Sequence, residues 1–182
     1  MKRLTALVVI LLLSNPLLAG KENDRKEIKQ SRQEILSRLY KEEPEVKNKI
    51  AKAEGYATFS NVGINVFFIS AGGGRGIVHD NKTGKDTYMY MGSAGVGIGL
   101  GVKDFSAVFV FHDRSALKSF IEDGWDFSGQ ADAAAKAGKK GEEGSAAGSI
   151  INGVDVYQMT ETGLALQATL QGTKYWVSED LN

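Results

Sequence analysis

The chain has 182 residues, no cysteine, and 22 basic against 22 acidic residues. The length suits one ordinary domain behind a short leader. The composition excludes disulfides and cysteine chemistry, and the balanced charge argues against nucleic acid as a partner.

Met1 to Gly20 reads as a secretory signal peptide. Lys2 and Arg3 precede an apolar run from Leu4 to Leu13, Ser14-Asn15-Pro16 breaks it, and Ala19 or Gly20 offers a cleavage point. The run is short for a bilayer span. The expected destination is a bacterial periplasm, with a retained N-terminal anchor as the alternative. Without Lys2 and Arg3 the chain carries 20 basic against 22 acidic residues, a net of −2. Any attraction to an anionic surface must then come from a local patch.

Residues 21–52 form a charged amphipathic helical segment. Ile28, Ile35, Leu36 and Leu39 fall on one side at helical spacing. Glu22 with Lys26 and Glu34 with Arg38 are i,i+4 pairs in the favourable order. Pro44 stops this helix and opens a second, with Val46, Ile50 and Ala53 as its apolar stripe. Lys21, Arg25 and Arg32 project to the same side as the apolar residues. Such a mixture suits anionic lipid headgroups, and the candidate lipid-binding set is Lys21, Arg25, Ile28, Lys29, Arg32 and Ile35. At about 1 kcal/mol per basic residue, the four cations would give ~4 kcal/mol. A solvated first turn beside a docked second half is the alternative.

Residues 53–182 read as a β-rich domain. Tyr56–Phe59, Val62–Ile69, Gly74–His79, Thr87–Met91, Ala94–Val102 and Ser106–Phe111 are apolar or alternating, and Asp80 to Gly84 is a turn. Gly95, Gly97, Gly99 and Gly101 recur at every second position, so one face of that strand is bare. Glycine weakens a strand, so close approach to this backbone is expected. The visitor is either another element of the same protein or an apolar ligand such as a lipid chain. Asp113 caps a helix with Leu117, Phe120 and Ile121 on one face, and Gly124 ends it. Trp125–Ala135 is a further strand and Gly138–Gly148 a flexible loop. Val154–Thr160 and Gly163–Leu170 form a hairpin around Glu161-Thr162, and Lys174–Val177 closes the domain. The fold class is α+β: a strongly curved antiparallel sheet or barrel-like core, with N-terminal helices and one internal helix.

No constellation for catalysis emerges, and no cofactor or metal is expected. His79 and His112 each sit at a strand end, read as solvated, with no third ligand placed by spacing. Gly72 to Gly76, around Arg75, lacks the phosphate-cradle pattern and reads as a tight hairpin. The acids Asp104 and Glu161 are not brought beside a base by spacing.

Several stretches in fixed order nevertheless resemble the SYLF domain family, also called the Las17-binding actin-regulator family. They are Ala53 to Val62, Thr87 to Met91 running into the glycine strand and Val102-Lys103-Asp104, Val108 to Phe111, and Phe120 with Gly124-Trp125. Ala131-Asp132-Ala133 and Gly163-Leu164-Ala165 to Leu170-Gln171-Gly172 complete the set. The resemblance spans about Leu39 to Val177. It implies phospholipid binding, which with the missing catalytic constellation gives a non-enzymatic protein; eukaryotic members bind phosphoinositides and some bind actin. Gln171 departs from the acidic residue usual in the closing motif. A periplasmic member would meet neither actin nor phosphoinositides, so actin is not expected. The expected function is reversible association with anionic phospholipid membranes. The alternative is a structural or interaction module of the cell envelope, with an envelope protein as partner and no lipid ligand.

Overall fold

The computed structural model describes residues 16–66, 69–96, 104–127, 149–151, 153–160, 163–164 and 172–182. Two helices lead: α1 (Pro16–Glu42) and α2 (Val46–Lys52). Four long strands follow: β1 (Gly55–Val66), β2 (Ile69–Asp80), β3 (Asp86–Val96) and β4 (Phe105–Phe111). After α3 (Arg114–Glu122) come the short β5 (Trp125–Asp126), β6 (Ser149–Ile151), β7 (Val154–Thr160), β8 (Gly163–Leu164) and β9 (Thr173–Val177). The nine strands form one antiparallel sheet in the order β5-β9-β3-β2-β1-β4-β7, with β6 and β8 both paired to β7.

The sheet is strongly curled. Four strand spacings separate β9 from β4, about 19 Å on a flat sheet. Yet the Tyr175 ring on β9 lies 5.2 Å from the Phe109 ring on β4. Curling closes the concave face around an aromatic core of Phe59, Phe109, Phe111 and Tyr175, and α3 plugs it with Leu117 and Phe120. The convex face carries the N-terminal helices. Ile35, Leu39, Val46 and Ile50 pack on Val108, Val110, Tyr157 and Met159, while Ile28 meets Ile77, Tyr88 and Leu181. Strand alternation explains both sets: Phe109 and Phe111 face inward, Val108 and Val110 outward.

Local chemistry explains the boundaries. Asp80 accepts backbone N–H bonds from Lys82 (2.9 Å) and Thr83 (3.2 Å), and Gly84 takes φ +69°, so the expected turn joins β2 to β3. Asn81 reaches back to donate to the Ile50 and Ala53 carbonyls, satisfying the end of α2. Asp113 caps α3 by accepting from Ser115 and Ala116, and Gly124 follows it at φ +68°.

Three expectations about strands fail. β1 and β3 are each continuous where two strands were expected. The chain reverses between Val66 and Ile69, inside a segment expected to be one strand, because an unbroken apolar run hides the turn. Gly72 to Gly76 is not a hairpin but mid-strand, paired on one side with β1 and on the other with β3. Trp125–Ala135 begins as a strand, but only through Asp126; residues 128–148 and 165–171 lie outside the described residues.

Candidate binding groove

The glycines of β2 separate two uses of a bare backbone. Gly72, Gly74 and Gly76 face the concave side. A Cβ on Gly76 would overlap the Phe59 ring and the Thr58 carbonyl, and one on Gly74 the Ser60 carbonyl. Close packing within the chain accounts for these. Gly73 points to the convex side, where a Cβ would meet nothing within 4 Å. Its cross-strand partner is Gly92, where a Cβ would lie 3.3 Å from the Trp176 ring.

These two glycines floor a groove of about 700 Å³ between α1 and the sheet. That volume falls in the range of small-molecule sites. Glu27 and Ile28 of α1 form one wall; Tyr90 and Trp176 form the other. The Tyr90 and Trp176 rings are 6.1 Å apart. At 41% exposure, Trp176 is the exposed large apolar side chain among the described residues. Arg75 also lines the groove and pairs with Asp24 of α1 at 2.6 Å. Asp24 first, then Glu27, holds the Arg75 guanidinium above its ordinary pKa, against the opposing effect of burial. Glu27 itself makes no hydrogen bond or ion pair to the described residues. The groove therefore combines an apolar floor and wall with Glu27 and with an Arg75 whose charge Asp24 already partly balances.

The predicted lipid-binding set is redistributed by docking of α1. Ile28 and Ile35 are 6% and 5% exposed, buried against the sheet. Arg25 donates to the Leu181 carbonyl at 2.9 Å and lies 5.8 Å from the Tyr88 ring centroid. Arg32 donates to Asp86 at 2.8 Å. In the docked helix these four therefore face protein, which corrects the expectation of one membrane-facing surface. A helix can place charge on its apolar side when the sheet beneath supplies carboxylates and carbonyls, and sequence spacing does not see those partners. Lys29 is exposed and Lys21 partly so. The expected Glu34–Arg38 pair does not form either: Arg38 donates to the Thr160 carbonyl and Glu34 accepts from Gln30. Of the glycine strand, Gly95 pairs with Ser70 at the end of β3, while Gly97, Gly99 and Gly101 lie outside the described residues.

Both histidines have partners; His79 is half-buried, contrary to the solvated reading, while His112 is exposed as expected. His79 Nδ1 lies 2.7 Å from Asp86, which also accepts from Arg32. Burial opposes ionisation of Asp86, but these two hydrogen bonds outweigh it and lower its pKa. His112 Nε2 lies 3.2 Å from Asp155, which Lys49 approaches at 3.4 Å. Asp155 is 7% exposed, so these contacts satisfy a buried carboxylate. Arg114 grips Asp80 with two bonds of 2.8 and 2.6 Å, tying α3 to the β2–β3 turn, and holds its carboxyl well below the usual range. Each charged cluster thus has a structural task. Among the described residues no group of three His, Asp or Glu side chains is placed to hold a metal ion, and no helix is long and apolar enough to cross a membrane.

Sequence reasoning missed Gly73, Gly92 and Trp176. The available signal was the alternation itself: Tyr175 and Trp176 are adjacent on one strand, so one ring must enter the core and the other leave it.

Beta cell expansion factor A of Aeromonas veronii is 36% identical over 146 residues, 80% of this chain. The chain spans about half of that relative, 54% of its length. The family described as Ysc84, Las17-binding protein actin regulator, matches residues 91–182, from the last turn-ward half of β3 through β9. The chain therefore belongs to the Las17-binding protein actin regulator (Ysc84, or SYLF) family.

Proposed function

We propose that this protein is a non-enzymatic lipid-binding module of the periplasm that associates reversibly with phospholipid membranes. One observation carries the reading: an open, glycine-floored groove beside an exposed tryptophan, with no packing reason for the bare backbone at Gly73. Aromatic side chains with one apolar body and one polar edge favour the membrane interface. Lys29 remains on the outer side of α1 and adds a preference for anionic lipid, and the half-buried Lys21, close to Asp180, adds a smaller one. With Arg25 and Arg32 engaged by the protein and Lys21 shared with Asp180, the electrostatic part falls to about 1–2 kcal/mol. The leader-like first 20 residues support the periplasmic placement. The activity named for the Aeromonas veronii relative is not carried over, because this chain covers about half of that protein.

The second reading is an interaction module of the envelope without a lipid ligand. Gly74 and Gly76 favour it, since their bareness is explained by the chain's own packing. Vesicle co-sedimentation separates the two. The lipid reading predicts binding to phosphatidylglycerol-containing vesicles, weakened several-fold by salt and by Lys21→Glu with Lys29→Glu. Absence of binding to anionic and neutral vesicles alike would sink it in favour of the interaction module.

A further inference from the structure

The groove is more specific than a membrane-contacting surface needs to be. Its floor presents bare backbone at Gly73, with the Trp176 ring seated against Gly92, so a slender apolar body can lie flat between Ile28 and Trp176. Its charged groups have opposite signs. Arg75 gives Asp24 one hydrogen bond from a guanidinium that carries five N–H donors, and at 45% side-chain exposure it keeps donors for a phosphate. Glu27 is exposed and has no hydrogen-bond or ion-pair partner among the described residues. On the opposite wall of the groove stand two aromatic rings, the preferred surroundings of an organic cation. A purely anionic amphiphile would satisfy Arg75 and meet Glu27 unfavourably. A purely cationic one would suit Glu27 but leave the remaining N–H donors of Arg75 unmatched.

We propose that the groove between α1 and the convex sheet face binds a single zwitterionic amphiphile. Its phosphate meets Arg75, its ammonium group meets Glu27 and the Trp176–Tyr90 rings, and its apolar chain lies over Gly73 against the edge of Trp176. This rests on the lipid-binding reading and narrows it to one molecule and one headgroup class. Charge complementarity selects this occupant over a fatty acid or an apolar peptide segment.

The test uses three probes with one chain length, all below their micelle concentrations: decylphosphocholine, decyl phosphate and decyltrimethylammonium. Binding to the protein is measured by calorimetry. The expected result is saturable binding at one site, with decylphosphocholine about fivefold tighter than either singly charged probe. Glu27→Gln should weaken decylphosphocholine and decyltrimethylammonium but spare decyl phosphate, and Arg75→Gln should do the converse. Gly73→Leu should abolish binding of all three while leaving the melting temperature unchanged or raised. Equal affinity for the three headgroups overturns the headgroup assignment. Undiminished binding by a folded Gly73→Leu variant overturns the site, and so does failure of every probe to bind. Vesicle co-sedimentation run in parallel keeps the two proposals apart. Vesicle binding without probe binding removes the groove and leaves the membrane reading standing, whereas loss of both removes both.

Discussion

Gly73 and Gly76 lie three residues apart on β2, and the same substitution at each should have opposite effects. At Gly73 a Cβ meets nothing within 4 Å, so Gly73→Val adds a strand-favouring side chain in open space. The gain is up to about 1 kcal/mol, the span of measured strand preferences. At Gly76 a Cβ would overlap the Phe59 ring and the Thr58 carbonyl. A ring turns aside only at the expense of the aromatic core, and a carbonyl within a paired strand cannot. Gly76→Val should therefore cost at least about 3 kcal/mol, the top of the range for overpacking. For a chain of this size, 1 kcal/mol corresponds to about 2–4 °C in Tm. Thermal melts followed by circular dichroism should thus show Gly73→Val at or above wild type and Gly76→Val lower by about 6–12 °C. Two variants destabilised alike would refute the division of β2 into a packed face and an open one.

Other consequences follow from the core and the charge clusters. Phe120 is fully buried, with its ring 5.0 Å from Trp125 and 5.1 Å from Phe111, so Phe120→Ala should cost about 3–5 kcal/mol in urea unfolding; a loss under 1 kcal/mol would contradict the placement of α3 in the concave core. Asp80 has its pKa depressed by Arg114 in the folded protein, so its contribution is present in full above the unfolded carboxylate value and is lost as pH falls through the lower folded one. Asp80→Asn should accordingly melt below wild type at pH 7, with the gap closing as the pH drops below about 4; a gap independent of pH would refute the ion pair as its cause.

Much of this architecture was legible because local rules and packing agree. The Asp80–Gly84 turn, the Asp113 cap, the Gly124 stop and the hairpin register of β7 with β8 each follow from residues that suit few other conformations. The lengths of β1 and β3 were not legible. Ser60-Asn61 and Gly92-Ser93 look like breaks, but both sit between hydrogen-bonded neighbours that hold the backbone extended. The site was legible only in part. Ile28 was singled out and does line the groove, whereas Arg25 and Arg32 were singled out for a lipid surface and are bound to Leu181 and Asp86. Helical spacing reports which side a residue faces, not what waits there. The partner of Arg32 lies 54 residues away along the sequence, and the space above Gly73 is bounded by α1 and by β9, so only the assembled fold reveals that one is engaged and the other open.

The central claim is that the convex face around Trp176 meets lipid, and fluorescence of that residue tests it most directly. The chain has two tryptophans, and Trp125 packs within the core, 5.0 Å from Phe120. A Trp125→Phe variant leaves Trp176 as the sole reporter with the aromatic packing largely kept. Titrated with vesicles containing brominated phospholipid, it should show a blue-shifted emission and saturable quenching, both lost when Gly73→Leu is added. Emission unchanged by vesicles that the protein demonstrably binds would place the lipid contact elsewhere and contradict the account.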